Sequence, residues 1–270
     1  MHDEACPHYE DMINNMALGH EFLLSEFGVV PRIGWHLDPF GHSSANPRLF
    51  ADMGFDSWLF ARIDYQDKEK RESEESMNFL WRPFSKHFGD SKQIFTATMR
   101  DHYCWLDGFF YDERWDGSDP FVADESSDVY NAEEKMQQML NYLGEMEEDY
   151  RGNHMLLPFG CDFSFANARL NFEQMDLIID YVNANNDQNV HLFYSTPSQY
   201  IDALNAQNLT WPVRYDDMFP YADNPMDYWT GYFTSRQKAK QEVREGQAAL
   251  HAANQIYSLK ALDNTTSESQ

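Results

Sequence analysis

Short apolar runs of strand length, separated by helical patterns, recur along the chain and leave few folds open to it. "PRIGWHLD" (31–38), "FDSWLFARID" (55–64), "QIFTATM" (93–99), "HMLLPFG" (154–160) and "VHLFYS" (190–195) read as strands. Between them, "SANPRLFADM" reads as a short helix stopped by Gly54 as its C′ residue. Asn131 is placed to cap a helix in which Met136, Met139, Leu140, Leu143 and Met146 recur at three- and four-residue spacing, with Gly152 after its end. Such a stripe is read first as a core-facing surface. "FANARLNFEQMDLIIDYVNANN" is a second amphipathic helix, and Thr196-Pro197-Ser198-Gln199 is a capping box with proline at the first helical position. Strand, helix, strand, helix in this order predicts a parallel sheet with crossover helices.

The remaining stretches are less patterned. Residues 65–78 are so charged that only a solvated helix is expected there. Residues 101–130, aromatic and rich in Gly and Asp without a period, read as a long structured loop, and loops of that length usually serve a function. The polar end "DNTTSESQ" reads as a frayed tail.

Charge and cysteine usage exclude some roles. A formal net charge of −25 over 270 residues repels phosphate, so no nucleic-acid partner is expected. No apolar window is long enough for a spanning helix, and the N-terminal "MHDEACPHYEDM" lacks the apolar core of a secretory signal, so neither is expected. Cys6, Cys104 and Cys161 are far apart and odd in number, which indicates neither a disulfide framework nor a CxxC metal knuckle. Two glycosylation sequons begin at Asn208 and Asn264.

In parallel α/β folds, sites collect at the carboxyl ends of strands. Asp38 ends the first of these runs, and Asp162 follows "MLLPFGC". Two carboxylates facing one pocket are what glycoside hydrolysis needs, one as nucleophile or base and one as acid. Spacing alone does not single out this pair, because the chain has 45 acids. His36 and Asp38, two apart on a predicted strand, would share a face and could bind a metal with His42 from the turn. The alternative is that both histidines only hydrogen-bond within the turn.

Longer blocks add a resemblance. "GWHLDPFGHSSANPRLFADMGFDSWLFARIDYQDKEKR", "LLPFGCDFSFANA", "LFYSTPSQY", "LTWPVRYDDMFPYAD" and "YWTGYFTSR" occur in the order, and with the letters, of the catalytic domain of glycoside hydrolase family 38, the lysosomal-type α-mannosidases. The resemblance implies an incomplete parallel seven-stranded (β/α) barrel over residues 1–236, lacking its first strand, with residues 237–270 beginning a helical middle domain. It implies retaining, zinc-dependent hydrolysis of terminal α-D-mannosyl residues of N-glycans, in the lysosome or secretory pathway. Residue by residue, it implies Asp38 as nucleophile and zinc ligand and Asp162 as general acid/base. It also implies Arg62 as the partner of the nucleophile and Trp229 as the ring that packs on the sugar.

The chain departs from that family at several points. The family's zinc site also uses a His-x-Asp segment on the first strand, which the aligned blocks of this chain are expected to follow rather than include, and a "HHD" segment, which is not found in the sequence. Cys161 stands where Ser or Asp is usual. The expected alternatives are therefore a mannosidase fragment with an incomplete metal site, or an inactive remnant that keeps mannoside binding. A metal-dependent deacetylase-like barrel would need a His/Asp triad, which the spacing does not supply. A barrel short of one strand exposes sheet edges, so low solubility is expected.

Overall fold

The computed structural model describes residues 1–112 and 117–267. Positions 113–116 of the predicted long loop lie outside the described residues, as do 268–270. The chain opens with α1 (Tyr9–Phe27), unforeseen in the sequence, which His8 caps and Gly28 ends at φ 67°. It buries Met12 and leaves Leu18, Phe22 and Phe27 exposed, so its apolar residues mark no single core-facing stripe. Then follow β1 (Ile33–Trp35), α2 (Ala45–Asp52), β2 (Ser57–Phe60) and α3 (Tyr65–Ser73). After them come β3 (Asn78–Trp81), α4 (Ser85–Phe88), β4 (Ile94–Thr98), α5 (Ala132–Asp149), α6 (Ala168–Asn185), α7 (Pro197–Ala206), β5 (Val213–Arg214) and α8 (Gln237–Ser267). The tail expected to fray is thus helical as far as Ser267.

The strands form one five-stranded sheet in the order β1-β2-β4-β3-β5. β1, β2 and β4 run parallel as expected, but β3 runs antiparallel to β4, so the sheet is mixed rather than wholly parallel. β3 was hidden because "NFLW" follows directly on the charged α3. α3 is itself anchored: its Arg71 is buried, pairs with Asp67 at 3.1 Å, and lies 4.2 Å from the centre of the Phe79 ring.

Two expected strands are not strands. Residues 154–160 and 190–195 join no ladder of the sheet. The reason is visible for the second: the Asn186 side chain bonds both the N–H and C=O of Val190, and that of Asn183 does the same for Leu192. Side chains from α6 thereby satisfy the backbone that a ladder would have paired. The first lays Leu156 against the α7 face of the sheet and Leu157 beside α5.

β2 is buried along its whole length, as a central strand covered on both faces must be. Trp58 and Phe60 point to one face and meet Phe50 of α2 together with Phe79 and Trp81 of β3. Leu59, pointing the other way, meets Tyr200, Ile201 and Leu204 of α7. The Met/Leu stripe of α5 is core, as read: Met139 and Leu140 close on Ile178 and Val182 of α6 and on Trp105, Phe109 and Phe121 of the long loop. The capping box at Thr196 and Gln199 is formed.

Gly41 turns the chain after Asp38. It holds φ 97°, and a Cβ there would lie 2.4 Å from the Phe219 ring. Gly41→Ala is therefore expected to lower unfolding free energy by about 2–4 kcal/mol, from overpacking and a left-handed backbone together. A urea titration measures it, and a loss below the error of the titration would refute the account.

Candidate active site

The parallel strands β1, β2 and β4 end at the same edge of the sheet, and each continues into a residue of one cluster. Asp38 follows β1, Arg62 follows β2 and Tyr103 follows β4. Arg62 Nε donates to Asp38 Oδ1 at 2.6 Å. Tyr103 Oη lies 3.1 Å from Asp38 Oδ1 and 3.2 Å from Asp162 Oδ1. One phenol thus touches both acids, so those two carboxylate oxygens are no further apart than the sum of the two contacts. Asp162 itself comes from the turn that leads into α6.

Arg62 is 8% exposed. Its guanidinium carbon lies 4.5 Å from the Trp229 ring centre and 5.0 Å from that of Phe40, and its Nη1 donates to Tyr221 Oη at 3.3 Å. Phe40 and Trp229 pack with centroids 5.0 Å apart. These rings form an aromatic wall beside Asp38, which is about a third exposed at its side chain, and Asp162 is exposed as well. Burial, and then the carboxylates of Asp38 and Asp162, push the Tyr103 phenol up to about 12, so at neutral pH it remains a donor.

Behind this pocket lies a second, buried cluster. Glu4 Oε1 faces His42 Nδ1 at 2.7 Å and His36 Nε2 at 3.2 Å, while Glu4 Oε2 accepts from the Ser43 N–H at 2.7 Å. His42 Nε2 donates to the Arg62 carbonyl at 3.1 Å. Burial pushes the Glu4 carboxyl up, but the facing His42 and His36 rings outweigh it and hold it at about 2. Burial pushes the His36 imidazole down to about 4.

This arrangement corrects the metal reading of His36 and His42. β1 ends at Trp35, so strand alternation does not carry from His36 to Asp38. Both rings turn toward Glu4 and are fully buried. A catalytic zinc takes three protein ligands. Among the described residues no group of three His, Cys, Asp or Glu side chains is placed to hold a metal, and Asp38 is flanked by a guanidinium and a phenol. The residues present do not fit the zinc that the resemblance implies.

A further correction concerns the cysteines. Cys104 and Cys161 form a disulfide, and Cys6 is free. The partners are 57 residues apart, and the loop that joins them is folded back by its own aromatic contacts, which spacing could not show. Tyr103 was missed as well, although the rule that drew attention to Asp38 applies equally to the end of "QIFTATM". Glu4 carried no signal, because nothing in the sequence connects it to residues 36–46.

Comparison with known proteins places the chain in a family. The family model described as the glycosyl hydrolases family 38 N-terminal domain matches residues 1–224. A lysosomal alpha-mannosidase of Dictyostelium discoideum is 45% identical over 257 residues, covering 95% of this chain and 25% of its own length. The human lysosomal alpha-mannosidase is 40% identical over 272 residues, covering 97% of this chain and 26% of its own. The chain thus spans about a quarter of the length of these relatives. Among solved structures, an alpha-mannosidase from Enterococcus faecalis V583 shares the fold, with a TM-score of 0.56 and 15% identity over 81% of this chain and 21% of that one. Among the described residues, no helix is long and apolar enough to cross a membrane. A sheet whose parallel ends gather an aspartate, an arginine and a tyrosine, in a sequence that fits the family model over most of its length, belongs to glycosyl hydrolase family 38.

Proposed function

We propose that the chain carries the catalytic acids of an α-mannosidase that acts with retention on terminal α-mannosyl residues, N-glycans being the natural substrate class. One observation carries the reading: the Tyr103 hydroxyl is within hydrogen-bond reach of both Asp38 and Asp162. Retaining glycosidases hold their carboxyl groups roughly 5–5.5 Å apart, inverting ones roughly 6.5–9.5 Å. The shared Tyr103 contact brings one oxygen of each acid to the same hydroxyl, which supports a close pair of the retaining kind.

The hydrogen bonds also divide the labour. Tyr103 has a single proton to give, so at any moment it donates to one acid or to the other. Asp38 is paired with the Arg62 guanidinium, the setting that suits the acid that attacks the anomeric carbon. Asp162 is the second acid, on the far side of Tyr103, fit to donate to the departing oxygen and afterwards to take a proton from water. Trp229 and Phe40 offer apolar rings beside Asp38 for the face of a sugar. No step here is routed through a metal, although membership of the family is consistent with one.

The division at residue 236 and the closure of the sheet into a seven-stranded barrel in a longer chain belong to this proposal. So does a lysosomal location, supported by the names of the relatives. Low solubility of the isolated chain remains part of it too. The edge strands β1 and β5 are short, but Phe22 and Phe27 of α1 are exposed.

The test is turnover of 4-nitrophenyl α-mannoside by the full chain, with the first-formed sugar anomer read by proton NMR. The α-anomer is expected first, and the β-anomer would overturn the retaining assignment. Sugar binding without any turnover would favour the inactive-remnant reading instead. Tyr103→Phe removes the shared donor and is expected to lower kcat by about 10–100-fold with KM little changed, as expected for an interaction that matters mainly in the transition state. An unchanged kcat would remove Tyr103 from the mechanism.

A further inference from the structure

We propose that the Cys104–Cys161 disulfide is a positioning clamp that holds Asp162 against Tyr103 and so sets the distance between the two acids. The inference rests on the glycosidase reading above. Cys104 immediately follows Tyr103, and Cys161 immediately precedes Asp162, so the covalent bridge and the 3.2 Å contact are adjacent rungs between the same two segments.

The two acids are supported very differently. Asp38 stands just past a strand of the sheet and is locked by Arg62. Asp162 stands on an exposed turn, after a segment that joins no ladder. The flanking Phe163 and Phe165 hold φ 62° and 64°, a conformation such residues seldom adopt unless held. Apart from the disulfide, the ties of this turn include a 3.4 Å bond from Trp105 Nε1 to Ser164 Oγ, the Trp105–Phe165 stack, and the Phe165 N–H donating to Asp112 Oδ2 at 2.8 Å. All of these act beyond Asp162 on the side away from Cys161. On the Cys161 side the Phe159 ring also meets Trp105, with centroids 5.1 Å apart, so cutting the bridge removes the tie next to Asp162 and leaves one two residues further back.

Dithiothreitol opens the bridge by thiol–disulfide exchange. One reagent thiolate attacks a cysteine sulfur, the mixed disulfide closes to a cyclic disulfide, and Cys104 and Cys161 leave as thiols. The two electrons and two protons come from the reagent.

The experiment compares the full chain carrying Cys6→Ser, oxidised and reduced, on two substrates. Methyl α-mannoside needs its leaving oxygen protonated, and 2,4-dinitrophenyl α-mannoside does not. Reduction is expected to lower kcat/KM for the first by roughly 10–100-fold, a part of what a general acid supplies, and to change the second by less than about threefold. Equal losses on both substrates would reduce the bridge to a structural tie, and no loss on either would overturn the clamp. Two free thiols in the untreated Cys6→Ser chain would also overturn it. If the oxidised chain hydrolyses neither substrate, the mannosidase reading fails, and hydrogen exchange then decides the clamp by itself. Faster exchange in peptides 101–110 and 158–166 on reduction, with 33–62 unchanged, supports it, and unchanged exchange in the first two overturns it.

Discussion

Asp38→Asn is expected to lower kcat on an α-mannoside by on the order of 10⁵-fold, the scale seen when a covalent nucleophile is removed. The asparagine oxygen can still accept from Arg62 Nε, so the pocket keeps its shape and the melting temperature should move little. What disappears is the negative charge that the proposed nucleophile needs and that the buried guanidinium balances. Asp162→Asn gives a contrast, because general acid/base catalysis is worth roughly 10²–10⁴. That variant should lose most on substrates with poor leaving groups. Rates measured for both variants on one activated and one unactivated mannoside distinguish the roles. Asp38→Asn retaining a tenth or more of the wild-type kcat would dismiss Asp38 as the nucleophile.

Glu4→Gln is expected to cost about 3–5 kcal/mol of unfolding free energy, because removing one partner from a buried charged set leaves the others uncompensated. Glu4, His36 and His42 have no exposure at their side chains, so water cannot take the missing partner's place. The cluster also fixes how stability responds to acid. The Glu4 carboxyl lies at about 2 in the fold against 4.5 ordinarily, so its contribution is complete above pH 4.5 and fades as pH falls toward 2. His36 lies at about 4 against 6.5, so the fold keeps it neutral, and the stability linked to it is complete above pH 6.5 and lost as pH falls through 4. Both act in the same direction. The wild-type melting temperature should therefore fall by several degrees between pH 7 and pH 4, at roughly 2–4 °C per kcal/mol for a chain of this size. Glu4→Gln should begin lower and lose the part of that slope below pH 4.5. Calorimetric scans across this range decide the matter, and a flat wild-type profile would contradict the assignment.

The parallel half of the sheet could be read because its strands are apolar runs with strong neighbours: "SWLF" is buried at every position. The capping box and the α5 stripe could be read because they are local. Where reading failed, side chains from outside the segment decided. The Asn183 and Asn186 side chains made "VHLFYS" a supported extended segment rather than a strand. Of the site, Asp38, Asp162, Arg62 and Trp229 were named from the sequence, Arg62 and Trp229 only once the family resemblance was considered. The structure brings Asp38, Arg62 and Trp229 together directly, and Asp162 through Tyr103. His36 and His42 were noticed for the wrong partner, since their carboxylate lies more than thirty residues earlier in the sequence, at Glu4. Tyr103 was within reach of the strand-end rule and was overlooked because the polar loop begins there.

The sheet supplies one wall of the pocket and a detached turn supplies the other, so the two walls should tolerate genetic variation unequally. Insertions or deletions a few residues upstream of Asp38 would shift β1 against β2 and scramble everything that β2 carries. Changes of length between residues 164 and 168 would be absorbed before α6 begins. A library of such length variants, sorted for folded protein, should therefore be depleted at the first place and populated at the second.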